Sequence, residues 1–180
     1  MAKNTSQSDL SSTIQQQAGA MLDDLIAIRR DIHAHPEIRF TEVRTAKIAA
    51  DALRSLDIET QTGVGKTGVV GILRGGLGEG KVLGIRCDMD ALPIQEKSDA
   101  PYRSQNDGAM HACGHDVHTT VVIGIARILA DLKDRFRGTV KFIFQPSEEN
   151  PFGERCGSLT MIDDGVLENP SLDGILSLHY

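Results

Sequence analysis

Apolar residues recur along this chain in two alternating rhythms. Between residues 14 and 34, Met21, Leu22, Leu25, Ile28 and Ile32 fall near helical spacing, which predicts a first helix. His35-Pro36 ends it, because the residue before a proline avoids the helical region. The stripe Val43, Ala46, Ala50 and Leu53 predicts a second helix to about residue 56, with Thr41 as its cap. Three short β-branched or apolar runs follow at 58–62, 68–73 and 81–87, divided by glycine-rich turns, and read as strands. Residues 95–109 are polar, with proline and glycine, and read as a surface loop. Val121, Val122, Ile125, Ile128, Leu129 and Leu132 return to helical spacing behind Asp116, the predicted N-cap, and residues 133–138 close that helix. A strand at 139–144, a helix over 158–167 and a strand-like run at 172–179 complete the pattern. The fold class this predicts is α/β, a mixed sheet flanked by helices.

Composition narrows the function. The chain has 180 residues, one domain's worth, with 40% apolar and 24% charged residues, as expected of a soluble globular protein. Residues 1–12 are polar and are expected to be disordered, leaving 13–180 as the folded part. A net charge of −6 and the lack of a basic run argue against nucleic acid as a partner. No run is long enough for a membrane span, and the N-terminus lacks the apolar core of an export signal. Three cysteines, an odd number, then suggest reduced thiols and a cytoplasmic location.

Candidate chemistry is concentrated in Met110-His-Ala-Cys-Gly-His-Asp-Val-His118. Cys113 and His115 lie two apart across Gly114; on extended or irregular backbone that spacing puts both side chains on one side. Thiolate and imidazole are good ligands for zinc and other divalent metals. Asp88 and Asp90 follow a predicted strand, where ligand-binding residues of α/β sheets tend to lie. Pro146 breaks the next strand before Glu148 and Glu149, so that one carboxylate can bind metal while the other handles protons. His179 ends the last run. His118 falls in the first turn of the following helix and is expected to face the same cavity, whereas His33 and His35 read as supporting or surface residues rather than ligands. Gly63-Val-Gly-Lys-Thr-Gly68 looks like a phosphate loop but has Thr60 where the motif needs glycine, and a strand where it needs a helix; it reads as a hairpin turn.

Arg29-Arg-Asp-Ile-His-Ala-His-Pro-Glu37, Asp88-Met-Asp-Ala-Leu-Pro-Ile-Gln-Glu96, the segment His111 to His118 and Gln145-Pro-Ser-Glu-Glu149 together resemble the M20 metallopeptidase family. Within it they are most similar to the amidohydrolase branch of hippurate, N-acyl-amino-acid and auxin-conjugate hydrolases. The resemblance implies a zinc-peptidase-like catalytic domain with two divalent metal ions (zinc, manganese or cobalt) and a small N-acyl amino acid substrate. It implies Cys113, His115, Glu149 and His179 as metal ligands, Glu148 as general acid/base and Asp90 as a carboxylate supporting the site. Family members are longer. The resemblance thus covers an N-terminal portion, without the lid and dimerisation domain through which the full-length form makes a homodimer, and the final strand is expected to present an open apolar edge. Two other readings stand beside this one. The chain can be a non-catalytic metal-binding or partner-binding fragment with one closed site, or a thiol enzyme using Cys113 with His111 or His115.

Overall fold

The computed structural model describes residues 7–150 and 154–179. Two helices open the chain, α1 (Gln7–Ala20) and α2 (Leu22–Ala34), broken at Met21, where one continuous helix was predicted. Residues 7–12, expected to be disordered, form the first turns of α1, while residues 1–6 lie outside the described part. Helix α3 (Val43–Arg54) follows. Thr41 does not cap it: the Thr41 hydroxyl donates to the Ile38 carbonyl. Glu37 takes the capping role from six residues upstream of the helix, its carboxylate accepting the free N–H groups of Arg44 and Thr45 at 2.8 Å each. A side chain that reaches in from the preceding loop satisfies the same orphan donors a local cap would.

Five strands form one sheet in the order β1-β2-β4-β3-β5. β1 (Glu59–Val64) and β2 (Gly68–Arg74) make the hairpin predicted around the false phosphate loop. β2 pairs antiparallel with β4 (Thr139–Gln145), and β4 pairs parallel with β3 (Val82–Asp88). β5 (Gly174–Ser177) lies parallel to β3 at the sheet's edge. The crossover between β3 and β4 carries α4 (His115–Asp131), and α5 (Gly157–Asp163) stands between β4 and β5. α5 is shorter than the helix predicted over 158–167, because the chain after Asp163 turns to meet Lys141.

Helices α3 and α4 cover one face of the sheet. Ala49, Leu53, Val122, Ile123 and Ala126 pack there on Val69, Phe142 and Phe144. The opposite face carries a smaller cluster, Val64, Val70, Ile143, Met161 and Val166, beneath α5. β4 is buried on both faces, which explains its almost unbroken apolar run. Its exception is Lys141, 2% exposed, whose ammonium donates to the carbonyls of Val166, Glu168 and Pro170 at 2.8, 2.6 and 3.2 Å. Those bonds tie down the turn that leads into β5. No helix among the described residues is long and apolar enough to cross a membrane.

Candidate metal centre

The parallel registers bring the candidate residues to one end of the sheet. Asp88 pairs with Gln145 and Arg86 with Ser177, so the segments bearing Asp90, Glu148–Glu149 and His179 leave the sheet at nearly the same level. Helix α4 starts beside them. Its N-cap is Gly114, at φ +81°, a left-handed torsion that glycine adopts without steric cost. That turn separates Cys113, on the loop, from His115, the first helical residue. Asp116, predicted as the cap, instead sits in the first helical turn.

Cys113, His115 and Glu149 each offer a ligand atom, and these atoms all lie within 4.8 Å of one another. His179 joins them, with Nε2 3.7 Å from the Cys113 sulfur. His115 is buried, with neither ring nitrogen hydrogen-bonded. Nε2 stands 3.8 Å from Glu148 and 4.0 Å from Glu149, and Nδ1 stands 3.4 Å from Asp90 outside hydrogen-bond geometry. Burial opposes protonation of this imidazole, but the carboxylates of Asp90, Asp88 and Glu148 prevail and raise its pKa. Burial and the carboxylates of Glu149, Glu148 and Asp88 push the Cys113 thiol up to about 11. The cluster thus holds an excess of negative charge around soft and borderline donors, a set that fits a divalent cation. The raised thiol also argues against a cysteine nucleophile, whose pKa is ordinarily depressed.

Asp90 holds the acidic loop. Its two oxygens accept the N–H groups of Glu148 and Glu149, each at 2.9 Å. Burial pushes the Asp90 carboxyl up, but His115 and these amides outweigh it and keep the group below its ordinary range. Glu148 remains open to solvent, its side chain 42% exposed against 26% for Glu149.

Sequence position points to Asp88 and His118 as facing the site and to His33 as a supporting residue but leaves their partners open, and the structure supplies them. Asp88 accepts a bond from Arg86 at 2.8 Å and stands 2.6 Å from Nδ1 of His118. The His118 ring lies 5.4 Å from that of His115 and 5.5 Å from that of His179. Asp88, His115 and His118 form a second group, all buried, whose candidate ligand atoms lie within 4.8 Å of one another. Behind them His33 meets Asp116 at 2.7 Å, with Arg29 on the same oxygen. His35 is turned away, its Nδ1 2.8 Å from the Asp31 carbonyl. His111 is buried with neither nitrogen bonded, and burial lowers its pKa to about 4.

Comparison with known proteins bears directly on this centre. The family model for peptidase family M20/M25/M40 matches residues 84–180, more than half the chain. The chain belongs to peptidase family M20/M25/M40. Thermostable carboxypeptidase 2 of Saccharolobus solfataricus is 41% identical over 172 residues, which span 95% of this M20 chain and 42% of the relative. Hippurate hydrolase of Campylobacter jejuni is 43% identical over 152 residues, 84% of this chain and 38% of the relative. The crystal structure of the Bacillus subtilis YXEP protein, described as a dinuclear metal-binding peptidase of the M20 family, superposes with a TM-score of 0.81 at 42% identity. The match covers 89% of this chain and 44% of that one. This M20 chain therefore spans about 40% of the length of the curated relatives it matches.

Proposed function

We propose that this chain is the metal-binding portion of an amidohydrolase that cleaves the amide bond of N-acyl amino acids. The observation that carries the reading is the convergence of Cys113, His115 and Glu149 within 4.8 Å, beside an open Glu148. In this reading Cys113, His115, Glu149 and His179 hold divalent metal, with Asp90 bracing the loop. When bound, such an ion lowers the pKa of water and polarises an amide carbonyl. Glu148 then accepts the water's proton and returns it to the departing amine. Its exposure suits that role, since a proton carrier must reach substrate.

The relative named for hippurate, an N-benzoyl amino acid, supports the substrate class. Cys113 favours zinc, and the carboxylates suit manganese or cobalt as well. The three free cysteines support a reducing, cytoplasmic compartment. Cell fractionation that finds the protein outside the cytoplasm removes that part. The homodimer belongs to the longer protein, and sedimentation of that form tests it.

Two measurements test the core of the proposal. Elemental analysis is expected to find divalent metal in the purified chain and to lose it in Cys113→Ser/His115→Ala. In the polypeptide extended to its relatives' length, Glu148→Gln is expected to keep its metal while hydrolysis of N-benzoyl and N-acetyl amino acids falls roughly 10²–10⁴-fold. Undiminished turnover in that variant would remove Glu148 from its role.

A further inference from the structure

We infer that Glu42 is a positioning residue for the acidic loop, setting where Glu148 and Glu149 stand by holding the backbone N–H of Ser147. The inference rests on the reading of that loop given above. Glu42 immediately precedes α3 and is completely buried. Its Oε1 accepts the N–H of Ser147 at 2.8 Å and that of Phe40 at 2.9 Å, and its Oε2 accepts the Thr67 hydroxyl at 2.5 Å. Asp90 takes the next two amides. Three consecutive N–H groups, at 147, 148 and 149, therefore point into two buried carboxylates. Successive amides of this kind form an anion-binding concavity, and here the chain fills it from within.

The backbone at this point needs support. Ser147 has φ +47°, a left-handed conformation that a residue with a side chain keeps only where its surroundings impose it. Glu42 supplies one such constraint from 105 residues away in sequence. It also joins the loop to Phe40 and to the β1–β2 turn through Thr67. An apolar side chain of the same size would leave the buried Ser147 N–H without a partner, whereas glutamine keeps an acceptor oxygen. Hydrogen bonding, more than negative charge, is what the position requires.

The test uses the 180-residue chain with Glu42→Leu, Glu42→Asp, Glu42→Gln and, as a control, Leu53→Ala, which weakens α3 without touching the loop. Amide hydrogen exchange at residues 147–149, without metal, reads the loop directly. Zinc affinity, by competition with a chromophoric chelator, reads its effect on the ligand Glu149. Wild type and Glu42→Gln are expected to show slow exchange at all three amides. Glu42→Leu should exchange there at least about tenfold faster and bind zinc on the order of 10- to 100-fold more weakly. Glu42→Asp, one methylene short of Ser147, should do the same if Glu42→Leu does not fold. Leu53→Ala should leave both readouts unchanged below its unfolding transition. Slow exchange or wild-type affinity in the Leu or Asp variant overturns the inference, as does a Leu53→Ala protein that behaves like Glu42→Leu. A wild-type chain with the expected exchange pattern but no zinc binding defeats the metal reading and leaves the positioning role standing.

Discussion

His33 lies in the last turn of α2 with its Nδ1 2.7 Å from Asp116, both residues buried. The bond to Asp116 raises the His33 pKa above its ordinary 6.5, against the opposing effect of burial. Burial pushes Asp116 up, yet His33, His111 and Arg29 together hold it below its ordinary 3.8. A depressed carboxylate contributes stability above its unfolded pKa and loses it as pH falls through the folded one. A raised imidazole contributes below its unfolded pKa and loses that as pH rises through the folded one. The two windows overlap between pH 3.8 and 6.5. Urea unfolding of wild type and Asp116→Asn is therefore expected to differ most in that interval, with the gap narrowing on either side; a gap that widens steadily above pH 7 would contradict the assignment. Sequence spacing made Cys113 and His115 legible because they are neighbours. It could not pair His33 with Asp116 across 83 positions or His118 with Asp88 across 30, since neither periodicity nor local chemistry encodes which turns of chain meet.

Among the elements, α5 is held unusually close to the acidic loop. A Cβ built on Gly157 would come within 1.6 Å of the Pro146 carbonyl oxygen, and the Gly157 N–H donates to Ser147 O at 2.9 Å. Gly157→Ala must therefore move α5 or the loop, at a cost of about 1–3 kcal/mol by analogy with other overpacked sites. Gly19 offers the contrast: it lies in α1 with nothing within 4 Å of its built Cβ. Gly19→Ala should stabilise that helix by up to about 0.5–1 kcal/mol through reduced backbone freedom. Denaturant titration checks the first, and helicity by circular dichroism during heating checks the second; a shared sign would sink the comparison. The elements themselves were largely readable. Every predicted strand is present to within two or three residues at each end, because alternation and glycine turns act locally. The break at Met21, the cap supplied by Glu37 and the early end of α5 were not readable, since each depends on contacts with distant chain.

For the whole molecule, the two sheet edges differ in character. β1 exposes Glu59, Gln61 and Thr62, whereas β5 exposes Ile175 at 52% and Leu176 at 58%, with Leu178 just beyond it at 43%. Leu176 and Leu178 line a groove of about 140 Å³ with Val121, Val122 and Ile125 of α4. An apolar edge with unpaired backbone groups invites further pairing. The 180-residue chain is expected to self-associate as its concentration rises, and Leu176→Lys to suppress this in light scattering. A wild-type chain that stays monomeric at high concentration would refute it. The mixed α/β class was plain from the order of elements, and the open apolar edge was anticipated. Strand order was not, because spacing along the chain does not say that β4 inserts between β2 and β3.

β3 and β4 run side by side through seven paired positions, Val82 with Thr139 to Asp88 with Gln145. Asp90 and the amides it holds lie two to four residues beyond the last pair, so both are counted from one line. Removing a single residue from either strand would draw its end back by about 3.3 Å and swap the faces of everything beyond the gap. The two strands thus work as a matched pair of rulers. An apolar residue on them can be exchanged for another of like volume, but neither ruler can change length alone.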